Sequence, residues 1–338
     1  MARAPLNVLV TGGAGYIGSH VVRDLVQAGH EVTVYDSLYS GHEWAVLGAD
    51  FVRGDLAERA RLEWLLGSRN FHAAIHCAGH IWVGESVKNP AKYYFNNASN
   101  AFRLFDLCAQ YGIRHVVFSS TAAVYGQPDE ATIDEDTPLA PINPYGASKA
   151  MAERALQDVA AASGLTFAIL RYFNVAGADA QARIGEATPD NSHLVKVALE
   201  TAIGLRGAMR INGTDYPTQD GTCIRDYVHV DDLANAHLLA LDHLTAGGDP
   251  FVANCGYGHG FSVRQVLESV RQVTGVDFPI ETGPRREGDP AILVADSRRI
   301  KALLGWTPRH DDLERIVATA WAWERRLQDM RGERRLSA

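Results

Sequence analysis

Apolar residues recur along the first half of the chain in two alternating rhythms. Asn7-Val8-Leu9-Val10-Thr11 is a short apolar run closed by Gly12 and Gly13, which has the length of a buried strand. From Tyr16 to Gln27 the apolar positions Ile17, Val21, Val22, Leu25 and Val26 follow a helical period. Gly29 is placed to end that helix. Glu31 to Tyr35 alternates as a strand. Further strands are expected at Phe51–Arg53, Ala73–His76, His115–Ser119 and Leu165–Leu170, and helices at Leu56–Leu66, Ala91–Tyr111 and Tyr145–Ser163. Repeated βα units of this spacing predict an α/β fold: a parallel sheet with helices on both faces, wound in both directions by right-handed crossovers.

After Asn174 the rhythm changes. Ala176 to Asn191 is rich in Ala, Gly, Asp and Pro and reads as a loop. A helix (His193–Leu205), a turn-rich stretch (Asn212–Thr222) and a second loop (Glu281–Pro290) follow. The expectation is a first domain over 1–175, rejoined by about 225–246, and a smaller mixed C-terminal substrate domain over 176–330. Residues 331–338 form a polar, basic tail expected to fray.

Composition narrows the function classes. The 338 residues match about two domains at roughly 150 residues each. A net charge of -8 argues against nucleic acid as a partner, which would call for a basic face. No apolar run reaches the ~18 residues of a membrane span, and Met1 to Pro5 lead into a strand without a signal-peptide core. Cys77, Cys108, Cys223 and Cys255 are scattered, with no C-x-x-C pair. They read as reduced thiols of a cytoplasmic protein, and no metal site is expected.

The first candidate chemistry is the loop Thr11-Gly12-Gly13-Ala14-Gly15-Tyr16-Ile17-Gly18, set between a strand and a helix. Gly13, Gly15 and Gly18 satisfy G-x-G-x-x-G. Without Cβ atoms the backbone can turn tightly and approach a pyrophosphate, and the helix start offers free N–H groups. Asp36 ends the next strand, 21 residues after Gly15, where a carboxylate accepts from ribose hydroxyls and repels a 2′-phosphate. This is the Rossmann-type fingerprint, with NAD preferred over NADP.

The second is Tyr145-Gly146-Ala147-Ser148-Lys149, opened by Asn143-Pro144 as a helix start. Positions i and i+4 share a helix face, so Lys149 can lie beside the Tyr145 hydroxyl. A tyrosine base must lose about three units from its pKa of ~10, about 4 kcal/mol. One ammonium ~4 Å away supplies that order of energy at an effective dielectric of about 20. Thr121 ends the fifth strand after Ser119 and Ser120, at the carboxyl end where open sheets bind ligands.

These segments, in the order TGGAGYIGSH, SSTAAVYG, YGASK and RYFNVAGA, resemble the extended short-chain dehydrogenase/reductases, and among them the UDP-glucose 4-epimerases. HCAGHIWVGESV, YYFNNASN, DYPTQDGTCIRDYVHVDDLA and PRREGDPAILVAD extend the likeness from Val8 to about Trp323. The resemblance implies NAD as cofactor. Its site would be Gly12, Gly15, Tyr16, Ile17, Gly18, Asp36, Ser37, Leu38, Ser40, Gly41, Asp55, Leu56, Cys77, Ala78, Gly79, Ile81, Asn96, Tyr145, Lys149 and Phe173. The UDP-sugar would meet Thr121, Tyr145, Asn174, His193, Leu194, Asn212, Arg225, Arg286 and Asp289. Tyr145, Lys149 and Thr121 would be catalytic. The reaction implied is C4 epimerisation through a transient 4-keto sugar, interconverting UDP-glucose and UDP-galactose. A homodimer through Ala91–Tyr111 and Tyr145–Ser163 is implied as well.

The chain departs from the pattern in places. Ile81 stands where some relatives carry Lys, and His193 where some carry Asn. Leu293 holds a position whose size affects which hexosyl group fits, so epimerases of UDP-N-acetylglucosamine, UDP-xylose or UDP-glucuronate are the alternative reading. Ala122 and Ala123 follow Thr121, so the acid pair of the sister dehydratases is missing. A nucleotide sensor on the same fold would be marked by loss of Tyr145 or Lys149, and both are present.

Overall fold

A computed structural model describes residues 4–128, 130–286 and 289–336, except for the side chains of 333–336. The first half alternates as the apolar pattern predicts: β1 (Asn7–Thr11), α1 (Tyr16–Gln27), β2 (Glu31–Asp36), β3 (Asp50–Arg53), α2 (Arg59–Ser68) and β4 (Ala73–His76). Then come α3 (Val83–Lys88), α4 (Pro90–Tyr93), α5 (Asn100–Gln110), β5 (His115–Thr121), the short β6 (Thr132–Ile133), α6 (Pro144–Ser163) and β7 (Thr166–Tyr172). In the second half β8 (Asn174–Ala176), α7 (Leu194–Ala202), β9 (Met209–Asn212), β10 (Ile224–Arg225), β11 (Tyr227–His229) and α8 (Val230–Thr245) lead to β12 (Phe251–Cys255). The chain closes with β13 (Phe261–Ser262), α9 (Val263–Thr274), β14 (Ile280–Gly283), β15 (Ile292–Ala295), α10 (Arg298–Leu304) and α11 (Leu313–Leu336).

Seven strands form one parallel sheet in the order β12-β7-β5-β4-β1-β2-β3. Strand order reverses beside β1, which makes the sheet doubly wound and opens a crevice at the carboxyl ends. Side chains alternate across the pleat. Val8 and Val10 join the core under α1 and α8, while Leu9 joins the opposite core with Leu104, Phe105 and Leu156. Both faces are buried, which is why β1, β4 and β5 read as continuous apolar runs. Helix α8 packs on α1, β5 and β7, and β12 adds the outer strand beyond β7. The remaining strands form a four-stranded sheet, β13-β10-β15-β6, and two pairs, β11-β8 and β14-β9.

Several boundaries differ from the sequence reading. The expected helix Leu56–Leu66 starts later, at Arg59, because the Asp55 carboxylate accepts from the Ala57 N–H at 2.8 Å and holds a turn there. The expected helix Ala91–Tyr111 is helical but not uniform, since Tyr94–Ser99 widen to a π-helix between α4 and α5. His193 is the N-cap of α7 and lies outside it, and that helix stops at Ala202, shortly before Gly204 at φ +83. The expected loop Glu281–Pro290 begins as strand β14, paired to β9. The tail expected to fray continues α11 to Leu336; positions 337 and 338 lie outside the described residues. No helix among the described residues is long and apolar enough to cross a membrane.

Candidate active site

The carboxyl ends of the sheet face a cavity of about 1740 Å³. A pocket for one drug-sized ligand spans roughly 300–1,000 Å³, so this one has room for a dinucleotide and a second ligand together. Its lining includes Gly12, Gly15, Tyr16, Ile17, Gly18, Asp36, Ser37, Ser40, Gly41, Asp55, Leu56, Cys77, Ala78, Gly79, Ile81, Asn96, Thr121, Tyr145 and Phe173. Asn174, His193, Leu194, Asn212, Arg225, Arg286, Asp289 and Leu293 line the same cavity from the second half of the chain. Two expected residues stand one layer behind. Leu38 packs on the core under α1, and Lys149 lies beneath Gly79, where a Cβ would come within 3.3 Å of its Nζ.

The glycine loop is shaped for close approach. Gly12 has φ +73, and a Cβ on it would lie 2.4 Å from Ala78 N. A Cβ on Gly18 would lie 2.1 Å from the Gly12 carbonyl. Gly15 caps α1 with extended backbone and no side-chain bond to the first turn. The N–H groups that open α1 therefore lack helical partners beside the cavity, which suits an anion. The Asp36 carboxylate accepts from Ala14 N at 3.0 Å and Leu38 N at 2.8 Å. Burial nonetheless pushes its carboxyl above the ordinary range. These features fit the pyrophosphate and ribose of a dinucleotide.

Helix α6 delivers Tyr145 as its second residue. Asn143 accepts from Gly146 N at 2.9 Å and Pro144 fills the first turn, so the start is well capped. A Cβ on Gly146 would lie 2.3 Å from the Ala123 carbonyl. Glycine there lets the helix start touch the turn after β5, which Thr121 caps by accepting from Ala123 N at 3.2 Å. Tyr145 and Thr121 are brought together in this way. Further along α6, Glu153 pairs with Arg171 at 2.6 Å and with Ser120, both pairs buried. These bonds fix α6 against β5 and β7.

The titration of this pair differs from the sequence reading. Burial raises the Tyr145 hydroxyl above its ordinary value, and the opposing pull comes from the Thr121 hydroxyl, not from Lys149. Lys149 donates to the Ser119 carbonyl at 2.9 Å. Its own value is lowered to about 8 by burial, against the pull of Cys77 and Glu153. The Lys149 amine is thus turned toward the strand.

At the far end, Arg225 is paired with Asp289 and donates to the Pro290 carbonyl at 2.7 Å. With its amide oxygen turned toward Arg286, Asn212 accepts from Nε and Nη2 at 3.2 Å. His193 Nδ1 lies 2.7 Å from the Glu186 carboxylate. Burial opposes the imidazolium, but Glu186 outweighs it and raises the His193 pKa. Sequence reasoning missed Glu186, which also binds the Asn191 amide, and Tyr172, which lines the cavity beside Phe173. Glu186 sits in an aperiodic loop with no signal. Tyr172 was visible as the residue before Phe173 in RYFN.

The family model for the NAD dependent epimerase/dehydratase family matches residues 8–256. A UDP-glucose 4-epimerase of Azospirillum brasilense is 51% identical over 327 residues, 96% of this chain and 94% of the relative. A crystal structure of UDP-glucose 4-epimerase from Brucella ovis in complex with NAD superposes with a TM-score of 0.92 at 44% identity, covering 94% of this chain and 98% of that one. The UDP-glucose 4-epimerase of Bifidobacterium longum, solved with NAD+ and UDP, gives a TM-score of 0.89 at 35% identity, with 95% and 98% covered.

Proposed function

The chain belongs to the NAD dependent epimerase/dehydratase family, and we propose that Tyr145, Thr121 and Lys149 carry the chemistry of its reaction. It is an isomerase, an NAD-dependent epimerase acting at C4 of a UDP-sugar and interconverting UDP-glucose and UDP-galactose. The observation that carries the assignment of roles is that Tyr145 and Thr121 line the same cavity, brought together where the start of α6 meets the turn after β5.

Tyr145 Oη takes the proton of the sugar 4-hydroxyl and returns it after the sugar has turned. Thr121 Oγ1 holds the 4-oxygen during both transfers. Bound NAD supplies the hydride acceptor and donor at C4, and its cationic ring adds to the field that favours a phenolate. Within the chain, the positive end of α6 favours the same charge, because Tyr145 lies in its first turn. Lys149, once turned from Ser119 toward the cavity, holds a ribose and adds an ammonium beside the phenol. Arg225, Arg286, Asn212 and the α7 start at His193 and Leu194 hold the UDP end, so the sugar can turn while its nucleotide stays fixed. Arginine suits that task through charge-assisted bonds to phosphate oxygens. Ala122 and Ala123 bring no acid or base to the sugar, so the proton returns to the 4-oxygen by Tyr145, and C4 inverts because the sugar turns over between the two transfers. Glycine loop, Asp36 and the wall from Cys77 to Ile81 form the cofactor subsite.

We further propose a homodimer through α4–α5 and α6, where Phe95, Phe102 and Met151 are 71%, 51% and 54% exposed, and a cytoplasmic location, which keeps the four thiols reduced.

The test follows UDP-galactose turnover by purified holoenzyme without added NAD. Interconversion with no net NAD consumed is expected. Tyr145→Phe should lower kcat by about three orders of magnitude, within the range for loss of a general base and its oriented hydroxyl, while NAD stays bound. Full activity in that variant would overturn the role of Tyr145.

A further inference from the structure

The loop after Asp36 and the segment after Gly79 both line the cavity and meet where the Tyr39 ring touches His80. One side chain bridges them. Lys92, on α4, donates to the Tyr39 hydroxyl at 2.8 Å and to Glu85 at 2.6 Å. Glu85, on α3, also accepts from the Tyr93 hydroxyl at 2.9 Å, which ties it back to α4. The Tyr39 ring lies edge-on to His80, with centroids 4.8 Å apart, and 6.4 Å from Trp82. Lys92 Nζ also stands 5.9 Å from the centre of the Trp82 ring. A cation enclosed by aromatic rings and a carboxylate is an attractive arrangement.

Nothing in the core holds Tyr39 in place. Its side chain is 56% exposed, and the loop that carries it passes through Leu38 at φ +62, a conformation that L side chains rarely adopt. The closed arrangement also leaves the Trp82 indole N–H buried without a partner, a group that opening would return to water. The bridge is therefore a small contact between two segments that line the cavity, with a left-handed residue on one side and an unpartnered N–H on the other.

We propose that Lys92, Tyr39, Glu85 and Trp82 form a latch over the adenosine end of bound NAD and set the rate at which the cofactor leaves. The inference rests on the NAD subsite reading above, in which Asp36 holds the adenosine ribose. An enzyme that returns its hydride to the same sugar gains from never releasing the cofactor. Ile81 offers no charge to that wall; Lys92 brings one from outside the cavity.

The experiment measures NAD release from purified holoenzyme, by the 260/280 nm ratio and NAD fluorescence assay after timed dilution and gel filtration. Lys92→Ala should release NAD about tenfold faster, the size of one charge-assisted hydrogen bond. Tyr39→Phe, which keeps the ring and loses the acceptor, should fall between it and the unaltered chain. Raising salt should speed release from the unaltered chain and leave Lys92→Ala nearly unchanged, since only the former has an ion pair to screen. Unchanged release in both variants would overturn the latch, with the epimerase reading intact if UDP-galactose is still converted. A holoenzyme that carries NAD and converts no UDP-sugar would instead overturn the function.

Discussion

At the start of α7 the His193 imidazole faces the cavity with 43% of its side chain accessible, while Nδ1 is held by Glu186 at 2.7 Å. Burial alone would drive its pKa down, and the carboxylate reverses that, so the folded value lies above the unfolded ~6.5. Two consequences follow from the sign. The pair contributes stability that is full below pH ~6.5 and fades as pH rises through the raised folded value. In the same window the imidazolium that faces the UDP end loses its charge. KM for the UDP-sugar should therefore rise severalfold on the alkaline side, while kcat at saturation does not follow that titration. His193→Asn should remove the pH dependence of KM, read from initial rates across pH 6 to 9; a KM profile unchanged by the substitution would refute the role. His193 was named as a site residue only through the resemblance to the family; the apolar, helical stretch it opens showed a helix and no ligand role. Glu186, which sets its charge, was not named, since the loop around it has no period and its partner is fixed only by the fold.

Among the elements, α6 shows how a missing Cβ positions Tyr145, the proposed base. The helix start meets the turn after β5 at Gly146, where any side chain would press on the Ala123 backbone at 2.3 Å. Gly146→Ala should push Tyr145 away from Thr121 and cost about 10²-fold in kcat, the scale of a 1 Å misplacement. NAD content should stay near full, and thermal unfolding should shift by only a few degrees, because the buried Glu153–Arg171 pair, further along the helix, still holds it to the sheet. Near-normal kcat would mean the helix start tolerates displacement. Six of the seven strands of the main sheet were readable, since strands buried on both faces are short apolar runs; the outer strand β12, Phe251–Cys255, was not expected and pairs with β7 from the second half of the chain. The substrate side was not readable. β6, β10 and β13 have two residues each, too short for any period, and exist only because distant partners pair with them. The π-helix at Tyr94–Ser99 was hidden for a different reason: its apolar spacing still reads as an ordinary helix.

Across the whole molecule, α11 joins the two ends of the cavity. His42, just past the ribose loop, stacks on Trp44 at 5.0 Å, and Trp44 meets Trp323 of α11 at 5.4 Å. Trp323 donates to the Glu186 carbonyl at 3.0 Å and lies so close over Gly185 that a Cβ there would come within 2.5 Å of its ring. One residue on, Glu324 forms a buried pair with Lys196 of α7. The loop past Gly41, the loop that carries Glu186 and the helix that His193 caps thus all rest on α11. Trp323→Ala empties a site whose side chain is 2% exposed, and should cost about 3–5 kcal/mol of stability. If the contact also sets the loop, Kd for UDP should weaken about tenfold, measured by calorimetry on NAD-loaded protein below the lowered Tm. Trp323→Phe separates the two effects, because it keeps most of the apolar contact and loses the bond to Glu186. It should recover much of the stability and less of the UDP affinity. Should both variants lose stability with UDP affinity unchanged, α11 would be only a buttress, and His193 would owe its position to Glu186 and Asn191 alone.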